Sequence, residues 1–224
     1  MKILKSALVI VGLFTIVFIS IQAAQQSPDS NNETTAESSV TNQKERPVKD
    51  YNIYALPMPE NINFAGEEVP IDDPDIYERM DRELLVNTYW QSNALLLIKR
   101  ANQYFPIIEP ILKEEGVPDD FKYLAVIESG LTQAVSPAGA KGFWQIMEGT
   151  GKDYGLEING NVDERYHIEK STRVAADYLK KSKEKFGSWT MAAAAYNAGN
   201  RGVERQLERQ KVDDYYELLL GEET

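Results

Sequence analysis

Glu128 is a carboxylate in a place where a chain seldom puts one without reason. Six of the seven residues from Phe121 to Ile127 are apolar, Lys122 being the exception, and the run closes on Glu128-Ser129-Gly130. A segment with no polar stripe of any width reads as a helix buried nearly all round. At helical spacing Phe121, Leu124, Ala125 and Glu128 share a face, which sets the carboxylate on the packed surface just before the Gly130 break. Burial raises a carboxyl pKa, and the negative end of the helix dipole acts in the same direction. A glutamic acid kept protonated near neutrality is a general acid. A Glu that turns to solvent at a helix end is the competing reading, and this segment alone leaves the two balanced.

The remaining chemistry-bearing residues narrow what such an acid could do. The chain contains no cysteine and one histidine, His167, which removes thiolate metal sites, disulfides, His-built metal sites and His-based triads. No cofactor and no metal is expected, and His167 reads as a surface residue. Glu148, Asp153 and Asp163 are acids near the later motifs, but no pattern pairs any of them with Glu128. Asp163 reads as a helix-entry residue. The net charge of −11 becomes −13 once Lys2 and Lys5 are set aside with the first 24 residues, so nucleic acid is not an expected partner. The run Lys180-Lys181-Ser182-Lys183-Glu184-Lys185 reads as a solvated helix face.

Three short segments occur together and in order: Glu128-Ser129-Gly130-Leu131, then Gly139-Ala140-Lys141-Gly142-Phe143-Trp144-Gln145-Ile146-Met147, then Ala195-Tyr196-Asn197-Ala198-Gly199. Over roughly Tyr104 to Tyr215 this ordered set resembles the catalytic domain of the soluble-type lytic transglycosylases, lysozyme-like enzymes that cleave peptidoglycan. Val162-Asp163-Glu164-Arg165, Glu169-Lys170-Ser171-Thr172 and Ala175-Ala176-Asp177-Tyr178-Leu179 extend the likeness towards the membrane-bound D type. The resemblance implies cleavage of the MurNAc to GlcNAc β-1,4 bond by one Glu acting as acid and then base, with a 1,6-anhydro product formed without water. It implies that Glu128 is that catalytic residue, and that Ser129 shapes the site beside it. Gln145 and Met147 would line the cleft against the sugar, Tyr196 would place its hydroxyl near the carboxylate, and Asn197 would complete the same motif. Phe143, Trp144 and Met147 are also explained by core packing, the better reading for Trp144. Gly139, Gly142 and Gly199 need no more than a turn or cap role. Glu148 stands where relatives often carry proline. A hydrolytic muramidase and a non-catalytic peptidoglycan-binding module are the alternatives, and the intact set of Glu128, Gln145 and Tyr196 weighs against the second.

The elements that must hold these residues follow from periodicity and punctuation. Residues 1–24, with Lys2, Lys5 and an apolar stretch from Ala7 to Ile21, read as a signal peptide or an N-terminal membrane anchor. Residues 25–73 read as a disordered, Ser/Thr/Asn-rich tether that passes from Tyr51 into a Pro-rich extended arm. Residues 74–224 are expected to be the lysozyme-like domain, all-α, with a cleft and at most a short β-hairpin in the Thr132 to Lys141 region. Asp73-Pro74 opens a helix whose apolar pattern runs towards Tyr104, and a second helix spans Pro106 to Gly116. Further helices are expected from Phe143, over Ile168 to Phe186, over Ser188 to Tyr196, and from about Arg201 and Asp213. An exported monomer of the periplasm or cell envelope, acting on peptidoglycan glycan strands and membrane-associated wherever its first segment stays uncut, is the resulting expectation. Relatives of the D type continue past a segment like Tyr215–Leu220, so a minimal domain or a piece of a longer chain is expected here.

Overall fold

The computed structural model describes residues 54–220, so the leader or anchor and the tether lie outside the described residues. Among those described, seven α-helices and one two-stranded sheet are present, and no helix is long and apolar enough to cross a membrane. The all-α expectation therefore holds, with the paired strands among the described residues lying in the arm rather than near Thr132. There Asn63–Phe64 (β1) and Glu67–Glu68 (β2) form a small antiparallel hairpin. The expected hairpin is reduced to single bridges, Val135 to Lys141 and Lys141 to Ile146.

Helix α1 (Pro74–Tyr89) begins as the Asp-Pro pair requires: the Asp73 carboxylate accepts from Asp75 N at 2.8 Å, and Pro74 has no N–H to leave unpaired. The periodic pattern beyond it is not one helix but two. The chain breaks at Trp90 and restarts as α2 (Gln91–Glu114), which runs straight through Pro106 and Pro110. The proline expected to start a helix instead sits inside one, at a local cost of about 3 kcal/mol in a helix interior. Ile108, Ile111 and Leu112 on the same turns are buried in the core, and that burial offsets the lost backbone bonds.

A 3₁₀ turn, Asp119–Phe121, leads into α3 (Lys122–Ser129). This helix is not buried all round. Phe121 and Ala125 face the core, whereas Tyr123 is 52 % and Ile127 79 % exposed. Its apolar outer side is a wall of a groove, and periodicity cannot distinguish a groove wall from a core face. Gly130 (φ 60°) ends α3 in the left-handed region, and Leu131 (φ 54°) keeps it for a second residue, held by complete burial of its side chain.

No helix starts at Phe143. Residues 141–146 form tight turns, and the next helix is α4 (Glu148–Asp153). Helix α5 (Ile168–Phe186) is the central strut, packed against α2 and against α6 (Trp189–Ala198). Ala192, Ala194 and Ala195 allow α6 to lie close on it. Polar groups in this core are partnered: Trp144 Nε1 donates to Thr172 Oγ1 at 2.9 Å, and Ser182 Oγ to Asn200 Oδ1 at 2.9 Å. Helix α7 (Asn200–Gln210) follows, and residues from Asp213 onward make turns rather than the expected helix. Leu218 anchors them in a second apolar cluster with Met191, Ala195 and Val203.

Candidate active site

Glu128 occupies the next-to-last position of α3, half-buried, in the wall of a cavity of about 300 Å³. Phe64 and Val69 of the arm, Ile127, Ala193 of α6 and the Tyr215-Tyr216 pair line the same space. Among the described residues, no group hydrogen-bonds the Glu128 carboxylate and no cation meets it. Burial alone pushes its pKa from the ordinary 4.5 to about 6. A second cavity of about 300 Å³ adjoins the first and is lined by Gln145, Met147, Thr150, Tyr178, Tyr196 and others. Asn197 belongs to both. The fold thus brings Glu128, Gln145, Met147, Tyr196 and Asn197 into the linings of two adjoining cavities.

The arrangement is fixed from behind. Ser129 lines neither cavity; its hydroxyl donates to Phe143 O at 2.8 Å and Ala125 O at 3.1 Å, and accepts from Thr132 N. It ties the end of α3 to the turn that carries Gln145. Gln145 itself is left-handed (φ 45°), a strained position for a non-glycine residue. Its Nε2 donates to Gly142 O at 2.8 Å and Ala134 O at 3.1 Å, which leaves the amide oxygen as an acceptor at the cleft. Tyr196 donates its hydroxyl to Trp144 O at 2.7 Å, and its ring meets Tyr178 edge-on at 5.4 Å. Burial first, and the charge of Glu128 second, hold that phenol well above its usual range, so it remains a neutral donor. Trp144 is fully buried and Met147 is 45 % exposed.

Three contributors escaped the sequence reading. Arg165, 2 % exposed, grips Asp163 with Nε at 2.8 Å and Nη2 at 2.7 Å, while Nη1 donates to Gly139 O and Ile146 O. This pair pins both ends of the Gln145 turn, and the Arg165 bond holds the Asp163 carboxyl down at about 2. Gly142 completes it, since a Cβ there would stand 2.2 Å from Arg165 O. Asp163 also caps the 3₁₀ turn Glu164–Tyr166. Second, Glu67 of the arm accepts from Trp189 N (2.6 Å), Thr190 N (2.8 Å) and Thr190 Oγ1 (2.7 Å), capping the start of α6 from 122 residues away. Third, Asp120 shares the Glu128 cavity, but its Oδ2 accepts from Ala65 N at 2.7 Å. The other acids near the motifs are tied up too, Glu148 with Lys152 and Asp163 with Arg165 and Lys141. His167 lies at the surface beside Glu169, and among the described residues no cluster of three His, Asp or Glu side chains could hold a metal ion.

A helical domain whose cleft holds one uncompensated, protonatable carboxylate, with an amide and a tyrosine behind it, belongs to the lysozyme-like class. Residues 105–219 match the family described as Transglycosylase SLT domain, and the chain belongs to that family. It is 31 % identical over 170 residues to the membrane-bound lytic murein transglycosylase D of Escherichia coli K12, covering 72 % of this chain and 37 % of that protein. The chain therefore spans little more than a third of that relative's length. It is also 28 % identical over 129 residues to a putative tributyltin chloride resistance protein of an Alteromonas strain, covering 57 % of this chain and 60 % of the relative.

Proposed function

We propose that this protein is a peptidoglycan lytic transglycosylase in which Glu128 is the single catalytic acid and base. The observation that carries the reading is the Glu128 carboxylate: in a cleft wall, without a donor or cation, and protonated to about pH 6 by its burial. As acid it protonates the glycosidic oxygen between MurNAc and GlcNAc, and the C1–O bond breaks with positive charge on the MurNAc ring. As carboxylate it then takes the proton of the C6 hydroxyl, whose oxygen bonds C1 to close the 1,6-anhydro ring. No water enters, and the intramolecular nucleophile needs no second carboxylate to position it.

Hydrolysis by two carboxylates requires a partner about 5–10 Å from the first. Asp120 is the acid nearest in sequence within the cavity. One of its oxygens is committed to Ala65 N of the arm, so it is not free to serve as a second catalytic carboxylate. Gln145, Met147 and Asn197 are assigned to the sugar beside the scissile bond, Tyr196, its hydroxyl proton given to Trp144 O, to a neutral wall behind it, and Ser129 to holding α3 against the Gln145 turn.

The domain plan goes with this function: residues 1–24 as leader or anchor, 25–73 as tether and arm, and 74–224 as the glycan-cleaving domain of an exported envelope monomer engaged in wall turnover. Mass spectrometry of sacculi digested by the protein tests the reaction. Anhydro-ended muropeptides are expected, and reducing-end products alone would overturn it.

A further inference from the structure

Helix α7 carries Arg201, Arg205 and Arg209 four residues apart, so three exposed guanidiniums rise along one side of it. Like charges at this spacing repel and cost helix stability. Lys141, Arg165, Arg173, Lys180 and Lys185, by contrast, each meet a carboxylate. Among the described residues, no carboxylate meets any of the three α7 arginines.

Arg205 and Arg209 border a surface cavity of about 600 Å³ whose lining, among the described residues, holds no acid. Its far wall is clamped: the Gln210 amide accepts from Leu219 N at 2.9 Å and donates to Leu219 O at 2.8 Å. Ala198 lines both this cavity and the one holding Gln145 and Tyr196, so the two adjoin. In a chain with a net charge of −11, an unneutralised basic recess attracts anions locally.

We infer that this recess receives the carboxylates of the peptide stems borne by a glycan strand lying in the cleft. The inference rests on the peptidoglycan reading above and deepens it. A GlcNAc–MurNAc backbone with its lactyl groups in amide linkage carries no charge of its own, so the anionic groups of such a strand lie on its peptides. A guanidinium fork matches a carboxylate with two parallel hydrogen bonds, and two such forks one helical turn apart suit a stem with more than one acid group.

The test uses Arg205→Gln/Arg209→Gln in the full chain. The probe is the free stem tetrapeptide L-alanyl-γ-D-glutamyl-meso-diaminopimelyl-D-alanine, titrated by calorimetry or NMR. Loss of two surface guanidiniums is expected to weaken binding about tenfold, with Arg205→Lys/Arg209→Lys retaining part of it. Cleavage of peptide-bearing sacculi should fall by a similar factor, while cleavage of glycan strands stripped of peptide by an amidase and methyl-esterified at the lactyl carboxylates this frees stays at the wild-type rate. Equal peptide affinity in wild type and variant, or an equal loss on both glycans, would overturn the proposal. A wild type that binds the peptide through these arginines but cleaves neither glycan would support the recess and refute the glycan-cleaving reading instead.

Discussion

Replacing Glu128 by Gln should abolish activity and at the same time stabilise the fold, and the two effects have one cause. The carboxyl rises from its ordinary 4.5 to about 6 because burial penalises the charged form. A folded pKa above the unfolded one means that the native state holds the proton more tightly. The contribution is fully favourable below about pH 4.5 and is lost as the pH climbs through about 6, so at pH 7 the ionised Glu128 is a burden on the native state. At about 1.4 kcal/mol for each pH unit the shift corresponds to about 2 kcal/mol, which solvent access at the cleft reduces to about 1 kcal/mol. Glutamine has the same shape and no charge. Glu128→Gln should therefore melt about 2–4 °C above wild type at pH 7. At pH 4 the two should melt together. Scanning calorimetry or thermal circular dichroism across pH 4–8 measures the gap, and turbidity clearing of wall suspensions measures a loss of at least about 10²-fold. The wild-type rate should fall as the pH passes about 6, where the acid loses its proton. A variant less stable than wild type at pH 7, or a gap independent of pH, would refute the claim that burial sets the acid's pKa.

Glu67→Gln leaves the arm hairpin in place but weakens the cap on α6; it should cost about 1 kcal/mol by urea denaturation and lower turnover, since α6 carries Tyr196 and Asn197. Burial pushes the Glu67 carboxyl up, but bonds from Trp189 and Thr190 outweigh it and hold it below 4.5, so this strap stabilises above that pH and is lost on acidification. Arg165→Met leaves Asp163 with Lys141 alone and releases the Gln145 turn; a loss of about 2 kcal/mol in chemical denaturation is expected, and a loss below about 0.5 kcal/mol would show that the pair does not hold the turn.

The candidate residues were legible before the fold because residue type and local spacing mark them. Glu128 ahead of Gly130, Gln145 after a glycine pair and Tyr196 after an alanine run are short-range patterns. Several helix ends were legible for the same reason, as at Asp73-Pro74 and Gly130, where one or two residues satisfy the terminal backbone groups. Two local signals gave way to packing. Pro106 lies inside α2 because its neighbours are buried, and the Phe143 segment turns instead of coiling because Trp144, Ile146 and Leu131 must all enter one core.

What the sequence alone determined is therefore the inventory: one acid able to stay protonated, an amide and a tyrosine to stand near it, and no thiol or histidine cluster to do other chemistry. What only the tertiary structure decided is the state of each group. The apolar run reads equally as core or as cleft wall, and the arm and the Tyr215-Tyr216 segment, distant in sequence, enclose the side of α3 that the core leaves open. Glu67 finds α6 across 122 residues, and Arg165 reaches Gly139 O across 26. Contacts of that range leave no period or spacing in a sequence, because they depend on which faces the packed helices turn towards one another. The pKa of Glu128 follows from them: the same carboxylate, at the same helix end, is an acid only where surrounding elements withhold both water and a counter-charge.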